Sequence, residues 1–102
     1  MDPKFKEQVQ KDIQANKILL YIKGNKEAPQ CGFSAQVISI FKTLGLPFET
    51  RDILSNPDLR SGMKEFSQWP TFPQVYVNGE FLGGCDIVTE MYKSGELQKK
   101  AV

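Results

Sequence analysis

The chain has 102 residues, with no histidine, two cysteines and a single tryptophan. Without histidine there is no imidazole to ligate a metal and no Cys–His or Ser–His pair to activate a nucleophile. Two cysteines in a reducing compartment do not make a disulfide scaffold. Reactivity therefore rests on thiol, carboxylate, lysine, tyrosine or backbone groups. Neither sign of charge dominates: 13 Lys and Arg stand against 12 Asp and Glu, a net +1. A basic surface for nucleic acid or anionic membrane is thus not indicated. No apolar run approaches membrane-spanning length. The opening "MDPKFKEQVQ" lacks the apolar stretch of a signal peptide and the Arg/Ser richness of a transit peptide, so a cytoplasmic location is expected. Repeats, low-complexity tracts and linkers are also missing, and residues 1–102 are expected to form one domain.

What is present reads as alternating helices and strands. Phe5, Val9 and Ile13 lie at i, i+4 and i+8 behind a plausible start at Asp2 and Pro3, which predicts an amphipathic helix. "KILLYI" (17–22) is a short continuous apolar run, the pattern of a buried central strand. After the loop "KGNKEAPQ" a helix is predicted from about Gly32 to Leu44, with Val37, Ile40, Phe41 and Leu44 inward and Gly45 closing it. "PFETRDI" (47–53) alternates like a strand. "SNPDLRSGMKEFS" opens on Asn-Pro and carries Leu59, Met63 and Phe66 on one face. "QVYV" and "EFL" around Asn78-Gly79 predict a hairpin over 74–82. A last helix, "CDIVTEMYKSG", should turn Ile87, Val88, Met91 and Tyr92 to the core, with "ELQKKAV" adding a final basic turn. The order αβαβαββα predicts an α/β fold: a right-handed parallel crossover first, then a hairpin completing a mixed sheet of about four strands with helices on both faces. A cysteine after the first strand, opening a helix, suggests a thioredoxin-like arrangement.

Cys31 is the leading chemical candidate. Ahead of a helix, its sulfur faces unpaired N–H groups and the positive end of the dipole, which favours thiolate. Lys23, at the end of the first strand, adds positive potential. The alternative is an inert buried cysteine, against which adjacent Gly32 argues for access. Ser34 stands where a redox motif would place its second cysteine. It cannot form a disulfide, and its own role is expected to be capping or local hydrogen bonding. In "WPTFPQVYV" a thioredoxin-like fold would make Pro73 a cis-proline beside the cysteine, leaving the backbone of Phe72 free to pair with an extended peptide; a simple trans turn is the alternative. "GGCD" (83–86) exposes N–H groups suited to a carboxylate, with Asp86 either accepting from an ammonium or capping the helix. Cys85 is structural, a backup thiol or a partner for Cys31. Lys23, Arg60, Asp86 and the Phe72 backbone together suit a short peptide with carboxylates at both ends and an ammonium at one, the pattern of glutathione.

The segments "KGNKEAPQCGFS", "WPTFPQVYVNGEFLGGCDI" and "EMYKSGEL" closely resemble the monothiol glutaredoxins with a Cys-Gly-Phe-Ser active site, over about Lys17 to Leu97. "DLRSGMKEFSQWP" resembles the segment that supplies the family's arginine, here Arg60. Departures are mild: Phe72 stands where another apolar residue is frequent, and Phe66 where Tyr is common. The resemblance implies a thioredoxin fold and bound glutathione. By motif position Lys23 and Arg60 would hold its glycine carboxylate, the Phe72 backbone its cysteinyl unit, and Cys85 and Asp86 its γ-glutamyl end. Gly84 would shape that turn, with Thr71 and Pro73 in support. It also implies a [2Fe-2S] cluster bridging two subunits, and mixed complexes with BolA-like proteins.

Ligand arithmetic agrees with that implication. A [2Fe-2S] cluster takes four sulfur ligands where histidine is absent. Two copies of Cys31 and two glutathiones supply four. The expected function is then cluster carriage and iron homeostasis: apo monomer, cluster-bridged homodimer, transfer to acceptor proteins. Two other readings are a glutathione-dependent thiol oxidoreductase acting through Cys31, and an adaptor that only binds partners. The residues "NKEAP" enlarge the loop beside the sulfur and are expected to disfavour attack by a second glutathione.

Overall fold

A computed structural model describes all residues 1–102. Five helices and four strands alternate: α1 (Pro3–Ala15), β1 (Ile18–Ile22), α2 (Gly32–Leu44), β2 (Glu49–Asp52), α3 (Pro57–Ser67), β3 (Gln74–Val77), β4 (Glu80–Gly83), α4 (Cys85–Ser94) and α5 (Glu96–Ala101). The sheet runs β2-β1-β3-β4. β1 pairs with β2 in parallel and with β3 antiparallel, and β3 pairs antiparallel with β4. The parallel crossover, the hairpin and the four-stranded mixed sheet are those expected.

β1 is buried along its whole length, as its unbroken apolar run requires. Its side chains alternate between two cores. Ile18, Leu20 and Ile22 pack with Val37, Phe41, Val88 and Leu97, the side of α2, α4 and α5. Leu19 and Tyr21 pack with Val9, Ile13, Met63 and Tyr76, the side of α1 and α3. Helices therefore cover both faces.

Local signals set the boundaries. The Asp2 side chain accepts from Lys4 N and Asn56 from Leu59 N, each capping a helix that begins with proline. Gly45 ends α2 in the left-handed region at φ 70°. Asn78 and Gly79 turn the hairpin at φ 51° and 80°, both positive as a tight two-residue turn demands. No helix is long and apolar enough to cross a membrane.

Two expectations need correction. Ile87 is 41 % exposed; it stands on the outer side of α4, one residue before Val88, and of the four expected residues Val88, Met91 and Tyr92 face the core. "ELQKKAV" is more than a basic turn: Glu96–Ala101 is helical and buries Leu97 and Ala101 completely. Three lysine and glutamate neighbours mask this in the sequence, because only two apolar residues four apart carry the helix inward. Leu97→Ala is expected to destabilise the fold by about 2–5 kcal/mol through the cavity it leaves. Lys99→Ala, at an exposed position, should stay within about 0.5 kcal/mol. Urea denaturation of both variants checks the difference.

Candidate functional site

β1 ends at Ile22, and everything reactive gathers around that end. Lys23 N donates to Ser34 Oγ at 3.2 Å. Ser34 is fully buried, and its hydroxyl ties the first turn of α2 to the end of β1. Of the two roles expected for it, capping is not seen, since Cys31 holds the N-cap position, whereas local hydrogen bonding is, to Cys31. The intervening loop is fastened at several points. Gly24 sits at φ +94°, where a Cβ would come within 2.6 Å of Ala28 O, and its N–H donates to Asp52 Oδ1 at 3.0 Å. Asn25 Oδ1 accepts from Glu27 N at 3.0 Å and Ala28 N at 2.8 Å. Lys26 Nζ donates to Phe48 O at 3.0 Å and lies 5.3 Å from the centre of the Phe48 ring. Gln30 N closes the loop on Lys23 O at 2.8 Å. Burial opposes the Asp52 carboxylate, yet N–H groups of Leu54, Gly24 and Ser55 prevail and hold its pKa below the usual carboxylate value.

Cys31, half-buried, enters α2 with extended backbone, φ −148° and ψ 138°. Its pKa is lowered, chiefly by the Ser34 backbone N–H. Burial works against this, while the Phe33 N–H, the Lys23 charge and the Ser34 hydroxyl add to it. This is the helix-terminus effect expected from the sequence. Cys85 is the opposite. It is 7 % exposed, and burial pushes its thiol up, reinforced by the nearby charges of Asp86 and Cys31 and only partly offset by Thr89. Its Sγ lies 3.9 Å from Thr89 Oγ1.

The Phe72–Pro73 bond is cis, as expected. Residues 69–73 make no backbone–backbone hydrogen bond. The N–H and C=O of Phe72 are therefore free, although the residue is only 6 % exposed. Across from it, Gly84 caps α4. A Cβ on Gly84 would stand 3.3 Å from Trp69 Nε1 and 3.4 Å from Pro73 O, so glycine lets the start of α4 approach the cis-proline turn. Asp86 does not cap: it is exposed, in the first turn of α4, with no side-chain cap bond at that helix end.

These elements enclose a cavity of about 500 Å³. Lys23, Arg60, Thr71, Phe72, Pro73, Gly84, Cys85 and Asp86 all line it. Cys31 is not among the lining residues, but it is close enough for its charge to act on Cys85 and for that of Lys23 to act on it. Five further lining residues escaped the sequence reading: Phe33, Lys64, Trp69, Pro70 and Ile87. Lys64 had a usable signal, because it falls four residues after Arg60 on α3 and so shares its face. Lys23, Arg60, Lys64 and Asp86 form no ion pair within the protein, whereas Asp12–Arg51, Lys26–Glu49 and Lys100–Glu80 do. Three cations and one carboxylate are thus left available around one cavity.

Residues 18–82 match the Glutaredoxin family. A monothiol glutaredoxin of Synechocystis is 52% identical over 99 residues, covering 97% of this chain and 92% of its own. The chloroplastic monothiol glutaredoxin-S7 of rice is 53% identical over 97 residues, 95% of this chain, which spans 58% of the rice protein's length. Reduced poplar apo GrxS14 superposes with a TM-score of 0.82 at 55% identity, over 93% of this chain and 87% of that one. A buckwheat glutaredoxin–glutathione complex shares the fold, with a TM-score of 0.83 at 23% identity over 94% and 86% of the two chains. With the thioredoxin fold, the lone cysteine at the head of α2 and the cis-proline turn beside it, the chain belongs to the monothiol glutaredoxins.

Proposed function

We propose that this cavity binds glutathione and that the protein carries a [2Fe-2S] cluster as cargo, shared between two chains, for delivery to acceptor proteins. The observation that carries the reading is the set of unpaired groups around the cavity. Glutathione has two carboxylates, one ammonium and an extended peptide backbone. Lys23 and Arg60 suit its glycine carboxylate, the free N–H and C=O of Phe72 its cysteinyl unit, and the amides opening α4 with Asp86 its γ-glutamyl end. The buckwheat protein of the same fold binds glutathione. Thr71, Pro73 and Gly84 shape the walls.

The donor set fits a shared cluster. No group of three or more Cys, Asp or Glu side chains in one chain is placed to hold a metal ion, and histidine is absent. Cys31 offers one accessible sulfur poised to ionise, whereas Cys85 is buried and held protonated. Two chains and two glutathione thiolates complete four sulfur ligands. A cluster ligated half by a small molecule is readily handed on. An apo monomer, a cluster-bridged homodimer and a mixed complex with a BolA-like protein belong to this reading, as does work in the cytoplasm.

The lowered Cys31 pKa also favours a second reading, glutathione-dependent thiol–disulfide exchange. There the Cys31 thiolate attacks a glutathionylated protein, the protein thiol leaves, and a second glutathione releases oxidised glutathione from Cys31. The fastened loop from Gly24 to Gln30 weighs against fast turnover, since it holds a fixed wall beside the sulfur.

Anaerobic reconstitution with iron, sulfide and glutathione should give a coloured dimer that returns to monomer when the cluster is lost. Cys31→Ser should abolish it and Cys85→Ser should keep it; a colourless monomer with brisk reductase activity overturns the reading. Iodoacetamide should alkylate Cys31 at pH 7 at least about tenfold faster than Cys85. Because the folded-state pKa of Cys31 is lowered, its alkylation rate should reach a plateau at a lower pH than that of a free thiol, as mass spectrometry of each site will show. Deleting residues 25–29 should raise glutathione-dependent disulfide reduction; unchanged turnover counts against the role given to the loop.

A further inference from the structure

We propose that Gln74, which does not line the cavity, is the positioning residue that holds the Trp69–Phe72 turn ready for glutathione; this rests on the glutathione reading above.

Gln74 opens β3 opposite Tyr21, on the sheet face that also carries Leu19 and Tyr76. That face is otherwise an apolar and aromatic core, yet Gln74 is 0 % exposed within it. A buried amide is costly unless bonded. Here it is only half satisfied: Nε2 donates to Trp69 O at 3.1 Å and Thr71 O at 3.3 Å, while Oε1 has no partner. An apolar side chain of the same length would remove the orphaned oxygen and suit the core better. The two donated bonds are what the amide supplies.

Those bonds fall on a segment whose side chains are anchored, Phe72 in the core and Trp69 against Phe81, but whose backbone has few hydrogen bonds of its own. Residues 69–73 have no backbone–backbone hydrogen bond. Ser67 Oγ accepts from Trp69 N at 3.1 Å and fixes only the entrance of the turn. Beyond that point the Gln74 amide clamps two carbonyls that bracket the run into Phe72. Neither bond uses the N–H or C=O of Phe72, so the groups left for a ligand stay free. A turn fixed in advance spares the ligand the entropy of ordering it. Gln74 thus acts in place of a neighbouring strand, satisfying the turn from one side and leaving the other open.

Glutathione binding, followed by titration calorimetry, and thermal unfolding test this together in Gln74→Met, which keeps side-chain length and removes both donors. The expected result is glutathione affinity lower by about tenfold, the loss of two modest hydrogen bonds to the prepared state, with Tm unchanged or raised. Affinity within twofold of wild type overturns the proposal, and so does a fall in Tm with affinity intact, the mark of a purely structural residue. Should Gln74→Met fail to fold, nuclear Overhauser contacts in the wild-type protein decide: the Gln74 Nε2 protons must show slow exchange and contacts to Trp69 and Thr71. Fast exchange without them overturns it. Wild-type protein that does not bind glutathione defeats the glutathione reading instead, while the exchange and contact measurement still reports on the clamp itself.

Discussion

The register of β1 against β3 is the constraint on which the site depends. Tyr21 lies opposite Gln74, and Val75 opposite Gly83. Because β1 and β3 run antiparallel, the end of one and the beginning of the other meet at a single edge of the sheet. The loop leaving β1 carries Lys23 and leads to Cys31; the turn entering β3 carries Thr71, Phe72 and Pro73; β4 ends beside them and opens α4 at Cys85. A slip of one residue would send every side chain of β1 to the opposite core. The burial of Ile18, Leu20 and Ile22 on one face and of Leu19 and Tyr21 on the other forbids it. Packing far from the thiol thus sets which backbone ends confront each other near it.

Those ends share one property, unpaired polar groups. The first turns of α2 and α4 present N–H groups without helical partners, and Phe72 presents both an N–H and a C=O. The neighbouring charges are unpaired as well. Some charges elsewhere are engaged within the protein: Arg51 makes bonds of 2.7 and 2.8 Å to the Asp12 carboxylate, and Lys26 reaches the Phe48 carbonyl. What sets the cavity charges apart is their convergence: Lys23, Arg60, Lys64 and Asp86, none of them in an ion pair, line one cavity.

Much of this was legible in the sequence because the signals are local. A continuous apolar run gave β1, Asn-Gly the hairpin, Asn-Pro the start of α3, and a cysteine ahead of a helix the thiol whose pKa is lowered. Legibility fails where a role depends on a partner distant in the chain. Ser34 read as a residue for capping or local hydrogen bonding, because its bond to Lys23 N spans 11 positions and leaves no local signal. Ile87 read as core because its spacing fits the inward stripe, but the cavity beside the cis-proline turn claims it. Trp69 has no role in the sequence reading, yet its indole Nε1 would stand 3.3 Å from a Cβ on Gly84. Gln74 carried no signal at all, since a glutamine in a strand is normally solvated and only burial shows that it is not.

The position of Ser34 bears on why a single thiol suffices here. Residue 34 points inward, fully buried, and its hydroxyl is occupied by the Lys23 amide. A cysteine there would put sulfur, a weak acceptor, in place of the oxygen that fixes the end of β1, and would loosen the hold on Lys23. That lysine lowers the Cys31 pKa and also lines the cavity. Serine therefore does more than omit a disulfide partner. It keeps the cation in register with the thiol and with the cavity, and adds its own backbone and hydroxyl donors to the thiolate. The consequence is one half-buried sulfur whose pKa is lowered, with no second thiol in its own helix.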